Sequence, residues 1–191
     1  MKLADPFEGL PRGYYRAILA DPPSPFLTRS QKGKGRSADR HYQTMSWLDI
    51  GTLPVEELAA PSCALFLWAT WPTLPQALRL IEVWGFEYKT CAFDWIKINK
   101  DGRPRFGLGY WTRSNTEPCL LATRGHPKRL NADVSQVIVT QRREHSRKPD
   151  QVRSKIERLV AGPYLELFAR SRRDGWDEWG DEVGKFNMEE A

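Results

Sequence analysis

A chain of 191 residues with a formal net charge of +5 has the length of one α/β domain, which buries about 70% of its unfolded surface. The sequence has neither a signal peptide nor a long uncharged apolar stretch, which argues against a secreted or membrane protein and predicts a cytoplasmic one. The positive charge favours a polyanionic partner. We therefore predict a single domain over residues 1–191, with a core over about 14–183 and a polar tail that frays from Gly184.

Short apolar runs alternate with amphipathic helical patterns along the chain. One helix is predicted over residues 74–84, where apolar residues recur at helical spacing before Gly85, and a second begins at Pro149 with Val152, Ile156 and Leu159 on one face. The runs predicted as strands are residues 16–20, 64–70, 88–98, 118–123, 137–140 and 164–168. This alternation predicts an α/β fold, a mostly parallel sheet with helices on both faces.

The first predicted strand ends in an unusual corner, Asp21-Pro22-Pro23-Ser24. Each proline fixes its own φ and pushes the preceding residue out of helix, so Asp21 is held extended. Proline has no N–H, and we expect the loop carbonyls to be free to accept hydrogen bonds. One carboxylate and one carbonyl could then accept both hydrogens of an exocyclic amine. The alternative is an ordinary turn at the end of a strand.

Basic residues concentrate in two segments. Both are typical of phosphate-backbone contacts, with a solvated charged face as the alternative. The loop over residues 29–40 follows the acidic corner and has almost nothing apolar to bury, and a long loop of this kind is usually functional or disordered. The predicted phosphate-binding residues are Arg29, Lys32, Lys34, Arg36, Arg40, Arg142, Arg143 and Arg147.

The potential metal ligands are scattered. Cys63, Cys91 and Cys119 each lie in an apolar run without metal-ligand spacing, which predicts buried free thiols in a reducing compartment. His126 and His145 show no metal spacing either. We predict that the protein has no metal site.

Eight short motifs resemble those of the MT-A type adenine-N6 methyltransferases and occur in the same order as in that family. The resemblance extends from Ala17 to about Asp181 and includes bacterial and phage relatives. The motifs are Leu-Ala-Asp-Pro-Pro at 19–23, Tyr-Gln-Thr-Met-Ser at 42–46, Leu-Phe-Leu-Trp at 65–68, Trp-Gly-Phe-Glu at 84–87, Glu-Pro-Cys-Leu at 117–120, Ser-Arg-Lys-Pro-Asp at 146–150, Ile-Glu-Arg-Leu at 156–159 and Leu-Glu-Leu-Phe-Ala-Arg at 165–170.

The resemblance implies a Rossmann-like domain that uses S-adenosylmethionine, with the catalytic motif placed before the cofactor motif. It implies that Lys148 pairs with the methionine carboxylate, and that Arg170 reaches the ribose or a neighbouring carboxylate in place of a glycine-rich turn. Glu166 lies in a buried strand and needs a partner, for which Lys148 or a ribose hydroxyl would serve. The implied cofactor residues are Ala20, Asp21, Lys148, Glu166, Phe168, Arg170 and Asp181.

The implied catalytic residues are Asp21, Pro22, Pro23 and Ser24. Hydrogen bonds from the adenine amine to Asp21 and to the Pro22 carbonyl would draw the nitrogen towards tetrahedral geometry. Ser24 departs from the family, which usually has an aromatic residue here to stack on the adenine. Stacking of this kind is worth about 1–3 kcal/mol. Three aromatic residues could compensate, namely Phe26, Tyr42 and Trp71; Phe26 and Tyr42 are the better candidates by position, with ordinary packing as their alternative role. His41 neighbours Tyr42 and is expected to line the pocket.

The sequence therefore predicts an adenine-N6 methyltransferase that acts on nucleic acid, with DNA favoured because the chain is compact and shows no RNA-binding module. A bacterial cell or a phage-infected host is the expected setting. A non-catalytic subunit of the same fold and an RNA methyltransferase stay open as alternatives, as does a homodimer or a partner subunit. Methylation of a small molecule or a protein fits the positive charge poorly.

Overall fold

A computed structural model describes residues 5–25, 44–107, 109, 111–141, 143–144 and 147–186. Within these ranges one sheet contains seven strands, in the order β5-β3-β4-β2-β1-β6-β7. Only β4 runs against its neighbours, so the sheet is mostly parallel, as predicted. The strands are β1 Tyr15–Ala20, β2 Ala59–Trp68, β3 Glu87–Ile98, β4 Thr116–Arg124, β5 Val137–Gln141, β6 Tyr164–Leu167 and β7 Trp176–Trp179.

Helices cover both faces of the sheet, which confirms the predicted α/β class. Alternate residues of β1 point to opposite faces, because side chains in a strand repeat every two residues. Ile18 belongs to the core under three helices, whereas Leu19 belongs to the core under the fourth. The helices on the first face are α1 Trp47–Gly51, α2 Val55–Leu58 and α3 Leu74–Val83, and α4 Gln151–Leu159 covers the second.

The two longer helices, α3 and α4, form at the positions that the apolar spacing predicted. Ala77, Ile81 and Trp84 bury the predicted face of α3, and Gly85 ends that helix with φ +75°, a conformation that favours glycine. Val152 and Ile156 bury the face of α4. Each fully buried side chain of this size stabilises the fold by about 1.5–3 kcal/mol.

Several short elements were missing from the sequence prediction. The edge strand β7 has four residues, and Asp177 and Glu178 interrupt its apolar pattern. It is stabilised by tertiary contacts, since Tyr15 donates a hydrogen bond to Asp177 at 2.6 Å and the Tyr164 and Trp176 rings stack at 4.9 Å. The helices α1 and α2 have five and four residues, too few to show a clear helical period.

The described part of the predicted tail, residues 184–186, makes backbone hydrogen bonds, and its fraying stays a prediction. The backbone N–H of Phe186 donates to the carbonyl of Arg170 at 2.9 Å, and that of Lys185 donates to the Glu182 carbonyl at 3.0 Å. These bonds return the end of the described chain to the segment that follows β6.

Candidate active site

The candidate site lies where the carboxyl ends of β1 and β6 meet. The chain adds β2 on one side of β1 and β6 on the other, so this is the topological switch point, where ligands bind in open α/β sheets. A cleft of about 480 Å³, including its open mouth, lies here on the α4 face. Its lining residues are Leu19, Asp21, Trp68, Arg147, Lys148, Pro149, Asp150, Val152, Arg153, Glu166, Phe168, Arg170, Ser171 and Phe186.

The acidic corner begins directly after Ala20, the buried last residue of β1. Asp21 is partly buried and Pro22 is buried. The expectation of free loop carbonyls was wrong, because the N–H of Ser24 donates to the Pro22 carbonyl at 2.7 Å and the N–H of Met45 donates to the Pro23 carbonyl at 2.9 Å. A carbonyl oxygen has two lone pairs, so the Pro22 carbonyl can still accept a second hydrogen bond.

The Asp21 carboxylate pairs with Lys148, a contact that the sequence did not predict. The ammonium of Lys148 lies 2.8 Å from both carboxylate oxygens, although 127 residues separate the two side chains in the chain. The same ammonium lies 5.4 Å from the centre of the Trp68 ring, a cation–π contact. Lys148 lines the cleft beside Asp21, and its pairing with a cofactor carboxylate stays a prediction.

Two further charges extend this pair along the edge of the sheet. Glu117, on β4, lies 3.7 Å from the Lys148 ammonium and 2.6 Å from that of Lys97, on β3. Burial acts to raise the pKa of Glu117, but the positive charges of Lys148 and Lys97 outweigh it, so this pKa lies below its ordinary value. Sequence reasoning missed the role of Glu117, although an acid within an apolar strand was a signal that it needs a positive partner.

The partner of Glu166 is Arg153 on α4, so the predicted pairing with Lys148 was wrong, while a contact with a ribose hydroxyl stays a prediction. The Nε of Arg153 donates to Glu166 at 2.6 Å, and its Nη2 donates to the Ser171 hydroxyl at 2.9 Å. Burial raises the pKa of Glu166 to about 7, while Arg153 opposes this rise. An arginine one turn inside an amphipathic helix resembles a solvated residue in sequence, which is why the pair was missed.

The segment after β6 makes a close backbone contact in place of a glycine-rich turn. Strand β6 ends one residue earlier than predicted, and Phe168 adopts a left-handed conformation with φ +61°. A Cβ added at Gly180 would lie 2.9 Å from the backbone nitrogen of Ala169, so only glycine permits this approach of the two chain segments. Phe168 lines the cleft, with its ring edge-on to Trp179 at 5.3 Å.

Arg170 and Asp181 have different positions relative to the cleft. Arg170 lines it and pairs with Glu182 at 3.2 Å, in agreement with the expected neighbouring carboxylate. Asp181 is exposed and does not line the cleft, so its contact with a cofactor stays a prediction.

Arg147 belongs to the cleft, although its spacing had suggested a phosphate-binding surface. Its side chain is 15% exposed and lies 3.6 Å from Asp150. Its Nε is buried without a hydrogen-bond partner among the residues described. Arg143 is exposed and also pairs with Asp150, at 2.6 Å.

Trp71 begins a 3-10 helix, Trp71–Thr73, at the carboxyl end of β2. It is 49% exposed, and its indole N–H donates to Thr116 at 2.8 Å. Trp71 lies outside the cleft lining, so its stacking on a base stays a prediction. Other predicted site residues fall outside the described ranges, namely Phe26, Arg29, Lys32, Lys34, Arg36, Arg40, His41, Tyr42 and Arg142.

The described ranges contain no group of three His, Cys, Asp or Glu side chains that could hold a metal ion. No helix in the described part of the chain has both the length and the apolar composition that crossing a bilayer requires. The three cysteines are free, with Cys63 and Cys119 buried and Cys91 partly buried.

A cleft at the switch point, an acidic diproline corner and a charged lining define a Rossmann-like methyltransferase domain. The MT-A70 family model matches residues 15–182, which is most of the chain. The chain therefore belongs to the MT-A70 family of adenine-N6 methyltransferases, which confirms the resemblance found in the sequence.

Similar proteins come from bacteria, plants and animals. The type II methyltransferase M.MunI of Mycoplasma sp is 34% identical over 95% of this chain and 83% of its own length. An N(6)-adenosine-methyltransferase MT-A70-like protein of Arabidopsis thaliana is 30% identical over 90% of this chain, and the human N(6)-adenine-specific methyltransferase METTL4 is 31% identical over 92%. The chain spans 24% and 39% of those two longer relatives.

Proposed function

We propose that this protein transfers a methyl group from S-adenosylmethionine to the N6 amine of adenine in DNA. The observation that carries the proposal is the position of Asp21, which lies at the topological switch point and lines the same cleft as Lys148. The acid that would hold the acceptor and the cation that would hold the cofactor are thereby in contact.

One feature of the cleft lining fits the cofactor. The buried Arg147 Nε, without a hydrogen-bond partner among the described residues, fits a ligand with acceptor atoms. When bound, S-adenosylmethionine supplies an electrophilic methyl group on a sulfonium centre.

Asp21 and Pro22 would hold the acceptor amine. The adenine N6 lone pair is delocalised into the ring, and hydrogen bonds from the amine to the Asp21 carboxylate and the Pro22 carbonyl would localise it on the nitrogen. The nitrogen must lose a proton when it gains a methyl group, and Asp21 is placed to accept that proton. Positioning of two reactants can contribute about 7–11 kcal/mol to the rate.

Lys148 would bind the cofactor carboxylate while it stays close to Asp21. An ammonium group has three donors, and in this structure they face Asp21 and Glu117. Glu117 and Lys97 keep the local charge close to neutral. Lys148 can therefore turn one donor towards a ligand without leaving a buried acid unpaired.

DNA is the proposed substrate because the chain is basic and is 34% identical to the type II methyltransferase M.MunI over 83% of that protein's length. The names of the Arabidopsis and human relatives include adenosine and adenine respectively, which supports adenine as the target base. A base within a duplex would have to be flipped out to reach Asp21.

A non-catalytic role is the second candidate, since Ser24 cannot stack on a base. Ser24 is partly buried, and its N–H is used within the loop itself. A protein of this kind would bind nucleic acid without methylating it.

Incubation with labelled S-adenosylmethionine and matched single- and double-stranded DNA and RNA tests the proposal. Mass spectrometry of the digested nucleosides should detect N6-methyldeoxyadenosine. Asp21→Asn should lower the rate by about 10²–10⁴, the usual contribution of a positioned acid or base. Asp174→Asn is the matched control, because Asp174 is exposed and precedes the amino end of β7, whereas Asp21 follows the carboxyl end of β1. Binding of DNA without any methylated product would favour the non-catalytic role, and N6-methyladenosine alone would assign the substrate as RNA.

A further inference from the structure

Phe186 is the single aromatic residue of the polar tail that begins at Gly184. Nothing in the sequence gives it a role, yet it is partly buried and lines the cleft. An aromatic side chain that leaves a polar tail to enter a charged cleft suggests contact with a ligand.

Phe186 is held against the cleft by contacts on two sides. Its backbone N–H donates to the Arg170 carbonyl at 2.9 Å. The guanidinium carbons of Arg147 and Arg170 lie 5.1 Å and 6.0 Å from the centre of its ring, within cation–π range. Arg147 precedes α4 and Arg170 follows β6, so two separate segments fix the ring.

The other aromatic residues of the lining are already engaged in packing. Trp68 is 3% exposed and belongs to the core, and the Phe168 ring packs edge-on against Trp179. Most of the remaining lining is charged. Phe186 is therefore the aromatic side chain of the lining that is best placed to stack on a flat heterocycle in this cleft.

We propose that Phe186 binds the adenine ring of the cofactor by stacking, which makes it a cofactor-specificity residue. This inference rests on the proposed function. The cofactor moiety is favoured over the target base because Phe186 contacts Arg170, in the segment after β6 where the family resemblance puts the cofactor.

Binding of S-adenosylhomocysteine, adenosine and methionine to the full chain, measured by calorimetry, tests the proposal. Phe186→Leu should weaken binding of S-adenosylhomocysteine and adenosine about 5- to 150-fold, because base stacking is worth about 1–3 kcal/mol and 1.4 kcal/mol corresponds to tenfold. Methionine should bind as it does to the unmodified protein. Phe186→Tyr should retain the affinity, since it keeps the ring. Lys128→Ala is the control and should change nothing, because Lys128 is exposed and does not line the cleft.

The outcomes separate this inference from the proposed function. If the unmodified protein binds S-adenosylhomocysteine and Phe186→Leu binds it equally well or more tightly, the stacking role is overturned alone. Equal weakening by Phe186→Tyr and Phe186→Leu would also overturn it. If the unmodified protein does not bind S-adenosylhomocysteine, both proposals fail. Thermal unfolding of each variant confirms that a loss of affinity is not a loss of fold.

Discussion

Two acid–base pairs line the same cleft, but their surroundings differ. Asp21 pairs with Lys148, a point charge on a flexible stem, and the Asp21 side chain is 23% exposed. Glu166 pairs with Arg153, whose planar fork also bonds Ser171 and whose side chain is 10% exposed. Lys148 also contacts Glu117 and Trp68, but its three donors sit on a flexible stem that can redirect one of them. Glu166 and Ser171, by contrast, hold the rigid planar fork of Arg153. We therefore call Asp21–Lys148 the exchangeable pair, which suits a role in chemistry, and Glu166–Arg153 the fixed pair, which suits a role in structure.

Breaking the fixed pair should have the largest effect on stability. Arg153→Met would leave Glu166 buried without its positive partner, and we expect a loss of about 3–5 kcal/mol in the free energy of unfolding. Urea denaturation measures it. The double variant Arg153→Met with Glu166→Leu should recover much of this loss, because replacement of a buried pair by apolar residues is often neutral. Arg158→Met, which removes an exposed pair with Asp133, should cost less than about 1 kcal/mol.

Breaking the exchangeable pair should affect function more than stability. Lys148→Met should weaken S-adenosylmethionine binding about 10- to 150-fold, because hydrogen bonds to charged groups are worth about 1.5–3 kcal/mol. Equilibrium binding measures this, with Lys155→Met as the control, because Lys155 lies on α4 and does not line the cleft. Unchanged affinity, with normal folding, would remove Lys148 from the cofactor site.

Glu117→Gln tests whether the charge beside Lys148 helps to position it. This variant keeps the shape of the side chain but removes one negative charge between Lys148 and Lys97. We expect kcat to fall about tenfold because one charge-assisted contact would be weakened, and the melting temperature to fall as well because Glu117 is a buried partner of two lysines. Glu117→Asp should recover part of the rate, and a variant with the full wild-type kcat would show that Glu117 has no positioning role.

The pH dependence of stability sharpens the comparison further. The pKa of Glu166 is raised by burial to about 7 from its ordinary value near 4.5. The folded state therefore holds a proton that the unfolded state releases, so this contribution to stability is full below about pH 4.5 and is lost as the pH rises towards 7. Glu166→Gln should remove that decline in the free energy of unfolding, as measured by denaturation at several pH values. A decline of equal slope in both proteins would place its origin in another group.

Part of the site could be predicted from the sequence and part could not. Asp21 was predictable because a strand, an acid and two prolines are adjacent in the chain, and local stiffness follows from proline itself. The Asp21–Lys148 contact joins residues 127 positions apart, and no periodicity reports on that separation. Glu117 and Arg153 were missed for the same reason, and the strand β7 was missed because its four residues depend on tertiary contacts for their stability.

The sequence by itself determined the class of fold, the family and the acidic corner, because helical spacing, apolar runs and proline stiffness are properties of neighbouring residues. The tertiary structure decided which charges pair, and it gave Glu166 to Arg153 and Lys148 to Asp21. It also decided that the tail returns to the cleft through Phe186. Burial removes water from these groups, so each charge must pair with whichever opposite charge the fold brings within reach.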